Sequence, residues 1–503
     1  MSFYTWLTKK ISNTIALVAP TRALDYDKAQ ALRESLARSY DAAKTTGPNQ
    51  AWSPTNLSAD QEIRGSGLKT RARARDLERN NPYVKGMVRR FIINTVGEGA
   101  YPRPLIKPAG SDALDKELSN LVYLEHEDWA ETASITGDSL YDVQKIVAWH
   151  TFVDGACFIL KVVQKREFKL QVLEVDQLNT TVDGVLANGN RGVQGIELDR
   201  FGKPVAYHFY NSHPGEVGMY DATTERVLAD RVIHIFDKDR ASQNVGISHF
   251  ASVVMDLFDI TEFKDAVMLV QRVAASYGVF IETPYPEDMV YNNQTTENIN
   301  ASIGATREEW INPTSIQYLR VGEKPHSLKP EQPTSVYKDF VRTHLRGAAV
   351  GVGDSYEEFS GDYEGSTYSS ARQAKVIAKA VTRFYNAIFN RKLNIPIYRA
   401  WMDFYVGAGV LQLSNYEADR RRFQMVRFTR PRQDWIDPLR EAQAAELEIK
   451  LGINNRTTII EDRGGDRDEV FDVLEEENKL LIEKGIPTPF DYTNGGDGSA
   501  QNF

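Results

Sequence analysis

The sequence predicts an α+β fold built on antiparallel sheets, and three observations lead to it. Short runs of apolar residues recur between residues 157 and 236, separated by Gly, Asn and Asp turns, which is typical of strands. Asp199–Pro204 joins two of these runs as a hairpin. Ala251–Tyr277 contains neither Gly nor Pro and repeats apolar residues at helical spacing. Strands followed by long helices differ from the alternating βαβ order of nucleotide-binding folds.

Composition limits the possible functions. The chain has 503 residues, of which 42% are apolar and 26% charged, and this is ordinary globular usage. Its net charge is −9, whereas a protein that binds nucleic acid over its whole surface should be basic, so this chain contacts DNA only locally or without holding it. Cys157 is the only cysteine, which excludes an internal disulfide and fits a reducing compartment. The most apolar run, Ala266–Ile281, is too short and too polar to span a bilayer.

The first part of the chain predicts an arm followed by two basic helices. The first sixty residues are polar, with one helix expected at Tyr26–Ala43. Arg64–Arg90 contains nine basic and two acidic residues, and Asn81 is expected to cap a second helix that begins at Pro82. This basic stretch either binds phosphates or pairs with acidic neighbours in the same chain, and the sequence leaves both interpretations open.

The central region predicts a body of helices and short strands. Helical periodicity extends over Asp112–Trp149. Five strands are expected next, at Cys157–Val163, Lys169–Val175, Val193–Leu198, Val205–Tyr210 and Arg231–Phe236.

Two further helices flank an insertion. Ala251–Tyr277 carries four acidic residues at i, i+3 steps, and Thr334–Val350 is the second helix. The Pro- and Asn-rich segment Thr283–Pro333 lies between them, so we expect an antiparallel pair with a small subdomain at one end. Tyr368–Leu393 and Leu439–Leu451 are predicted helices, and the last residues form a polar tail.

Asp354–Glu364 is rich in acidic residues and lies between glycines. This composition predicts a mobile loop that makes no core contacts. Its carboxylates are also of the type that binds Mg²⁺ or Ca²⁺, although their spacing matches no EF-hand.

No catalytic constellation is visible. The sequence has neither a Walker A loop nor a GxSxG elbow. His208, His213, His234 and His249 are scattered among strands and loops, which favours structural or exposed roles over metal binding. Cys157 lies in an apolar strand and is expected to be an inert, buried thiol. We therefore predict no catalytic, cofactor-binding or metal-binding residue and no enzymatic activity.

Several motifs in a fixed order resemble the portal proteins of lambda-type tailed bacteriophages. They are Arg71–Tyr83 (RARARDLERNNPY), Val232–Phe236, Gly361–Arg372 (GDYEGSTYSSAR) and Trp435–Pro438. The resemblance covers residues 25 to 475.

The resemblance implies the portal-protein fold, with an α+β wing, antiparallel stem helices, a small clip, a tunnel loop and a helical crown. The implied segments are an N-terminal arm (1–60), wing (61–250), stem helix (251–280), clip (281–333), stem helix (334–350), tunnel loop (351–366), long wing helix and return (367–434), crown helices (435–490) and a disordered tail (491–503).

The resemblance also implies a function. The chain would form a homo-oligomeric ring, dodecameric in this family, at one capsid vertex of the virion, after synthesis in the host cytoplasm. Double-stranded DNA would be packaged through the ring by the large terminase subunit and later ejected, without sequence-specific contacts. The other partners would be the major capsid and scaffolding proteins and the head-completion or adaptor protein, with no cofactor and no membrane.

The stem helices and the tunnel loop carry the expected DNA-facing residues. The stem acids Asp256, Asp259, Glu262 and Asp265, repeated around a ring, would give a wall that repels DNA. Isolated phosphate contacts would come from Lys264, Lys338, Arg342 and Arg346. The tunnel-loop residues are Asp354, Ser355, Tyr356, Glu357, Glu358, Phe359, Asp362, Tyr363 and Glu364.

Two alternatives of other classes remain. The acidic loop could serve a metal-dependent enzyme acting on nucleic acid, or Phe3–Val18 could anchor a peripheral membrane protein as an interfacial helix.

Overall fold

The computed structural model describes residues 28, 55–107, 113–216, 218, 221–275, 280–282, 324–326, 334–429, 431, 437–465 and 467–486. The chain divides into two units, Met1–Ser58 and Ala59–Phe503, and every element below lies in the second. The expectations for the arm helix and for the polar tail fall outside the described residues, as does most of the insertion Thr283–Pro333.

Thirteen α-helices are assigned in the described residues. They are α1 Ala59–Asn80, α2 Pro82–Thr95, α3 Lys116–Ala130, α4 Leu140–Val153, α5 Val254–Ala275, α6 Thr334–Val352, α7 Tyr356–Ser360, α8 Tyr368–Phe389, α9 Ile395–Gly407, α10 Arg420–Phe423, α11 Pro438–Lys450, α12 Arg456–Asp462 and α13 Arg467–Glu483. A π-helical turn, Asn390–Asn394, connects α8 to α9, so the predicted helix Tyr368–Leu393 continues further than expected.

Twelve strands are assigned in the same part of the chain. They are β1 Pro102–Pro104, β2 Ala156–Gln164, β3 Glu167–Leu173, β4 Gly184–Val185, β5 Arg191–Val193, β6 Ile196–Leu198, β7 Pro204–Tyr210, β8 Thr224–Leu228, β9 Val232–Phe236, β10 Phe280–Glu282, β11 Lys324–His326 and β12 Val426–Phe428. The paired strands are antiparallel and form sheets in the orders β3-β2-β9, β4-β5-β6-β7-β8, β1-β12 and β10-β11. The mixed helix and sheet fold predicted from the sequence is confirmed.

The predicted strand Val193–Leu198 is wrong as a single element. Gln194 and Gly195 have φ angles of 48° and 90°, so the chain turns there and β5 pairs back on β6. Gly195 suits this turn because a Cβ at its position would lie 2.7 Å from the carbonyl oxygen of Asn179. The predicted hairpin at Asp199–Pro204 is confirmed, since β6 and β7 pair on either side of it.

The boundary between α1 and α2 follows the sequence closely. The side chain of Asn81 accepts hydrogen bonds from the backbone N–H groups of Tyr83 and Val84, and Pro82 occupies the first turn of α2. The predicted cap is therefore confirmed.

Three apolar clusters hold the second unit together. One joins α3, α4 and α9 to the β2 sheet, around the fully buried Trp401 and Tyr398. Another lies between the β3-β2-β9 sheet and the β4-β5-β6-β7-β8 sheet, around Phe158. The third joins α1, α2, α4, α5, α6 and α7, and Leu257 and Ala348 are fully buried in it. Within the described residues, no helix combines the length and the apolar character needed to cross a membrane.

Candidate functional site

The candidate site is the pair formed by α5 and α6, together with the loop that follows α6. Three contacts along the pair show that the helices run antiparallel, as predicted. Gly351 lies against Val253, and a Cβ there would approach the Val253 Cγ1 to 2.4 Å, so glycine permits this close packing. Further along, His344 Nδ1 lies 3.9 Å from Asp256 Oδ1, and the rings of Phe340 and Phe263 are 4.3 Å apart.

The insertion begins and ends at the far end of this helix pair. β10 pairs with β11, so Phe280 lies opposite His326 and Glu282 opposite Lys324. The chain therefore leaves α5 and returns to α6 through one short antiparallel ladder.

The outward side of α5 carries both acidic and apolar side chains. Asp259, Glu262 and Asp265 are exposed, whereas Asp256 is half-buried beside His344. Large apolar side chains lie among the acids, with Met255 53%, Phe258 46% and Leu269 61% exposed. Because apolar surface in water costs free energy, this side of α5 has the character of a contact surface as well as that of a charged wall.

The cations of α6 are neutralised by the loop. Arg342 Nη2 donates to Asp362 Oδ2 at 3.0 Å, and Lys338 Nζ lies 2.5 Å from Glu364 Oε2. The hydroxyl of Tyr356 donates to the same Asp362 oxygen at 2.7 Å. Arg346 stacks over the Tyr356 ring, with its guanidinium carbon 5.2 Å from the ring centroid. Of the predicted phosphate-binding residues, Lys338 and Arg342 therefore already have anionic partners.

These contacts shift the pKa values of both partners. The pKa of Asp362 is lowered, first by the Tyr356 hydrogen bond and then by the Glu364 backbone N–H and by Arg342. The pKa of Arg342 is raised by its contacts with Tyr356 and Asp362. Both side chains therefore stay charged at neutral pH and hold the loop against α6.

The expectation that Asp354–Glu364 makes no core contacts is wrong. Ser355 caps the short helix α7 through the backbone N–H of Glu358, and Gly361 ends that helix in the left-handed region at φ 70°. Phe359 is only 2% exposed and belongs to the cluster that contains Leu345 and Val352. The acidic composition of the loop gave no indication that Phe359 is buried.

The loop carboxylates do not form a metal site in the described residues. Asp362 and Glu364 are paired with cations, and burial raises the pKa of Asp354, which disfavours its charged form. Groups of carboxylates and histidines close enough to share an ion lie elsewhere, at His150, Asp154 and Glu174 and at Glu174, Asp176 and His213.

Arg75 lies between these two groups of residues, and sequence analysis did not identify its role. Its guanidinium makes two 2.7 Å hydrogen bonds to Asp154 and further bonds to Glu174 and Asp176. Burial lowers the pKa of Arg75, but its contacts with Asp154, Asp176 and Glu174 together outweigh burial, and the net shift is upward. Each carboxylate of the candidate metal groups is thus already paired with the Arg75 guanidinium.

Other residues of the basic stretch also pair within the chain. Arg71 bonds Asp176 at 2.7 Å, Arg64 bonds Asp183, and Lys85 bonds Glu78. Of the two interpretations left open, the structure supports intramolecular pairing for these residues.

The four histidines considered as ligands are dispersed. His234 is half-buried and stacks on Phe158 at 4.3 Å, and loss of hydration lowers its pKa to about 3. His249 is half-buried against Phe152, and His208 lies 3.6 Å from Glu197. His213 borders an open cleft of about 620 Å³, where its Nε2 lies 3.5 Å from Glu174 Oε2.

Cys157 is fully buried, and burial raises the pKa of its thiol. A thiol that stays protonated and inaccessible is a poor nucleophile, as the sequence predicted.

Comparison with known proteins gives a family. Residues 45–383 match the family described as "Phage portal protein, lambda family". A "Probable portal protein" of Halomonas phage phiHAP-1 is 26% identical over 471 residues, covering 91% of this chain and 89% of the relative. "Portal protein B" of Escherichia phage lambda and the "Portal protein" of Escherichia phage N15 are each 23% identical, covering 84% of this chain and 86% of the relative.

Among solved structures, this chain is similar to one titled "Neck of empty GTA particle computed with C6 symmetry". The TM-score is 0.42 at 14% identity, and the match covers 77% of this chain and 92% of the other. A second similar structure, "Neck of native GTA particle computed with C12 symmetry", gives a TM-score of 0.41 at 13% identity.

Proposed function

This chain belongs to the lambda family of phage portal proteins, whose general function is in DNA packaging, and from this premise we propose that copies of it form a ring-shaped channel for double-stranded DNA. The α5–α6 pair and the loop after α6 form the channel wall, and the ring stands at one capsid vertex of the virion. The observation that carries the proposal is the family match over residues 45–383. A dodecamer is the ring size expected for this family.

The remaining segments of the chain form the clip, the wing and the crown of the ring. The segment between β10 and β11 is the clip, where the terminase and later the head-completion protein dock. The body built on the β2 sheet is the wing, and α11 to α13 form the crown. The chain has no catalytic step of its own, because the terminase supplies the energy for DNA movement.

The charge balance of the wall explains how DNA could pass without being held. Duplex DNA carries one negative charge per ~1.7 Å of axis, so unpaired cations repeated around a ring would bind it strongly. The segments 254–275 and 334–366 together contain ten acidic and five basic residues. Two of the five cations, Lys338 and Arg342, are paired with Glu364 and Asp362.

The structure thus suggests a specific use for the loop acids. In the proposed channel, Asp362 and Glu364 neutralise α6 so that only brief phosphate contacts form. Lys264 and Arg346 supply such contacts, because both are exposed and, within the described residues, neither has an ion-pair partner.

The test compares two variants with the same change in net charge. In Asp362→Asn/Glu364→Gln, both cations of α6 lose their partners, so rings should bind duplex DNA more tightly and with a steeper salt dependence. In Glu357→Gln/Glu358→Gln, two acids of the same loop are neutralised, and neither has an ion-pair partner within 4.0 Å in the described residues. This control should bind DNA less tightly than the first variant.

The measurement is DNA affinity of purified rings as a function of salt concentration, followed by the amount of nuclease-protected DNA in assembled heads. Equal affinities for the two variants would contradict the proposed role of the loop acids. Normal DNA packaging in heads that lack this chain would contradict the proposed function itself.

A further inference from the structure

Helix α8 has an exposed side with two distinct stripes. Its cations Arg372, Lys375 and Lys379 fall within about 60° of one another around the helix axis, at 100° per residue. Beside them lies an apolar stripe of Val376, Ile377 and Phe384, which are 58%, 54% and 53% exposed. Tyr368–Phe389 contains no acidic residue. The exposed side is therefore basic and apolar.

The outward side of α5 has the same construction with the opposite charge. Its acids Asp259, Glu262 and Asp265 lie among the exposed apolar side chains of Met255, Phe258 and Leu269. The first and last acids are six positions apart, or about 9 Å along the helix, and the first and last cations of α8 are seven positions apart, or about 10.5 Å. The two charged stripes therefore match in length.

Neither stripe is neutralised by other described residues of the chain. In the part of the chain that the structure describes, none of the three α5 acids and none of the three α8 cations lies within 4.0 Å of an opposite charge. The neighbouring cation Arg383, by contrast, lies 3.3 Å from Asp462. Six unpaired charges on two surfaces with exposed apolar side chains point to a partner outside the chain.

Helix α8 follows the loop that lies along the α5–α6 pair. The loop after α6 runs back beside that helix, because Asp362 bonds Arg342 and Glu364 bonds Lys338. Helix α8 begins at Tyr368, directly after its N-cap Thr367. On the other side of the pair, Phe263 of α5 contacts Phe340. A Cβ at Gly353, directly after the end of α6, would lie 3.8 Å from the Val381 Cγ1, so α8 also passes that end of the pair.

We propose that the acidic, apolar side of α5 in one copy binds the basic, apolar side of α8 in the next copy. The two surfaces are different, so the contact is head-to-tail, and such contacts generate rings when the rotation closes. The inference rests on the proposed ring and names the surfaces that join its copies. It also gives three of the four acids predicted to repel DNA a balancing cation from the neighbouring copy.

The apolar stripe argues for a second copy over DNA as the partner. Phosphates would satisfy Arg372, Lys375 and Lys379, but a duplex backbone offers nothing to cover Val376, Ile377 and Phe384. The α5 surface offers both the acids and the apolar side chains, in one helix of this same chain.

The test uses charge reversal and mixing of full-length chains. One variant carries Asp259→Lys, Glu262→Lys and Asp265→Lys, and the other carries Arg372→Glu, Lys375→Glu and Lys379→Glu. Each alone places like charges at every junction and should lower ring formation at least about tenfold. Mixed in equal amounts, they should form rings again, because each junction of an alternating ring then joins opposite charges.

Ring formation is measured by mass photometry at several salt concentrations, with circular dichroism melting to show that each variant is folded. A chain that carries all six reversals should form rings alone, because opposite charges then face each other at every junction. The matched control reverses exposed acids elsewhere, Glu117→Lys, Asp128→Lys and Glu477→Lys, and should assemble like the original chain.

The outcomes separate the two proposals. Rings formed by both reversed variants alone would overturn the α5–α8 contact and leave the ring function standing. Folded variants that form no rings when mixed would also overturn the contact. Failure of the unaltered chain to form rings would overturn the proposed function.

Discussion

Phe359 anchors the acidic loop to the helix pair, and its replacement by alanine should release the loop. The side chain is 2% exposed and packs in the cluster that contains Leu345, Ala348 and Val352. A buried Phe removes at least about 150 Å² from water, which at about 25 cal/mol per Å² is worth about 4 kcal/mol. Measured Phe→Ala changes in cores cost about 3–5 kcal/mol, in agreement with this value.

Apart from Phe359, the side chains of residues 354–364 are half-buried or exposed, so we expect the loop to open locally. Amide hydrogen exchange of residues 354–366 should become at least about 100-fold faster in Phe359→Ala, since each 1.4 kcal/mol of opening free energy is a factor of ten. Exchange in α4 and in β2 should not change.

Tyr363→Ala provides the matched control on the same loop. Tyr363 is 50% exposed, and its hydroxyl donates to Glu358 at 3.1 Å on the surface. Its loss should change exchange of the loop amides by less than about tenfold. Equal exchange rates in Phe359→Ala and in the unaltered chain would refute the assignment of Phe359 as the anchor.

Three other predictions follow from the buried charges and the thiol. Arg75→Met removes the guanidinium that pairs with the fully buried Asp154 and leaves that carboxylate only its 2.7 Å contact with His150 among its described side-chain partners, so it should destabilise the fold by about 3 kcal/mol. Arg64→Met removes an exposed pair and should cost less than about 1 kcal/mol, and thermal melting of both variants checks the difference. The hydrogen bond from Arg226, followed by those from Asn190 and Asn188, lowers the pKa of Glu197 from 4.5 to about 2. The Glu197 carboxylate therefore stabilises the fold fully above pH 4.5, and this contribution is lost as the pH falls towards 2. In denaturant titrations, the free energy of unfolding of a Glu197→Gln variant should change less with pH over that range. Cys157 should react with a thiol reagent only at the rate of unfolding, and fast reaction in native buffer would show that the β2 strand is open.

Local features of the fold were predictable where the chemistry is local. The cap at Asn81 depends on residues two and three positions away, and the α5 and α6 helices depend on periodicity alone. Helix α6 ends at Val352, two residues beyond the predicted end, because Gly353 at φ 79° is the residue that stops it.

Features that depend on distant residues were not predictable from the pattern. Arg75 meets partners 79 to 101 positions away, and only the tertiary fold brings them together. The turn at Gln194 escaped prediction because a non-glycine residue adopts a positive φ there. The burial of Phe359 was not predicted, because the acidic composition of the whole loop does not show that one of its side chains is buried.

In the candidate site, too, local features were predictable and contacts between distant residues were not. The acidic row on α5 and the basic residues of α6 could be located from their spacing in the sequence. Their pairing could not, because the partners of Lys338 and Arg342 lie 26 and 20 positions further on, in a loop whose return along α6 has no local signal. Once those pairs are known, the unpaired charges of α5 and α8 become informative.

Imaging of the purified full-length chain by negative-stain electron microscopy tests the central claim most directly. The account predicts end-on views of closed rings with a central hole wide enough for duplex DNA. Particles that remain single copies at every concentration, with and without shell protein, would contradict it.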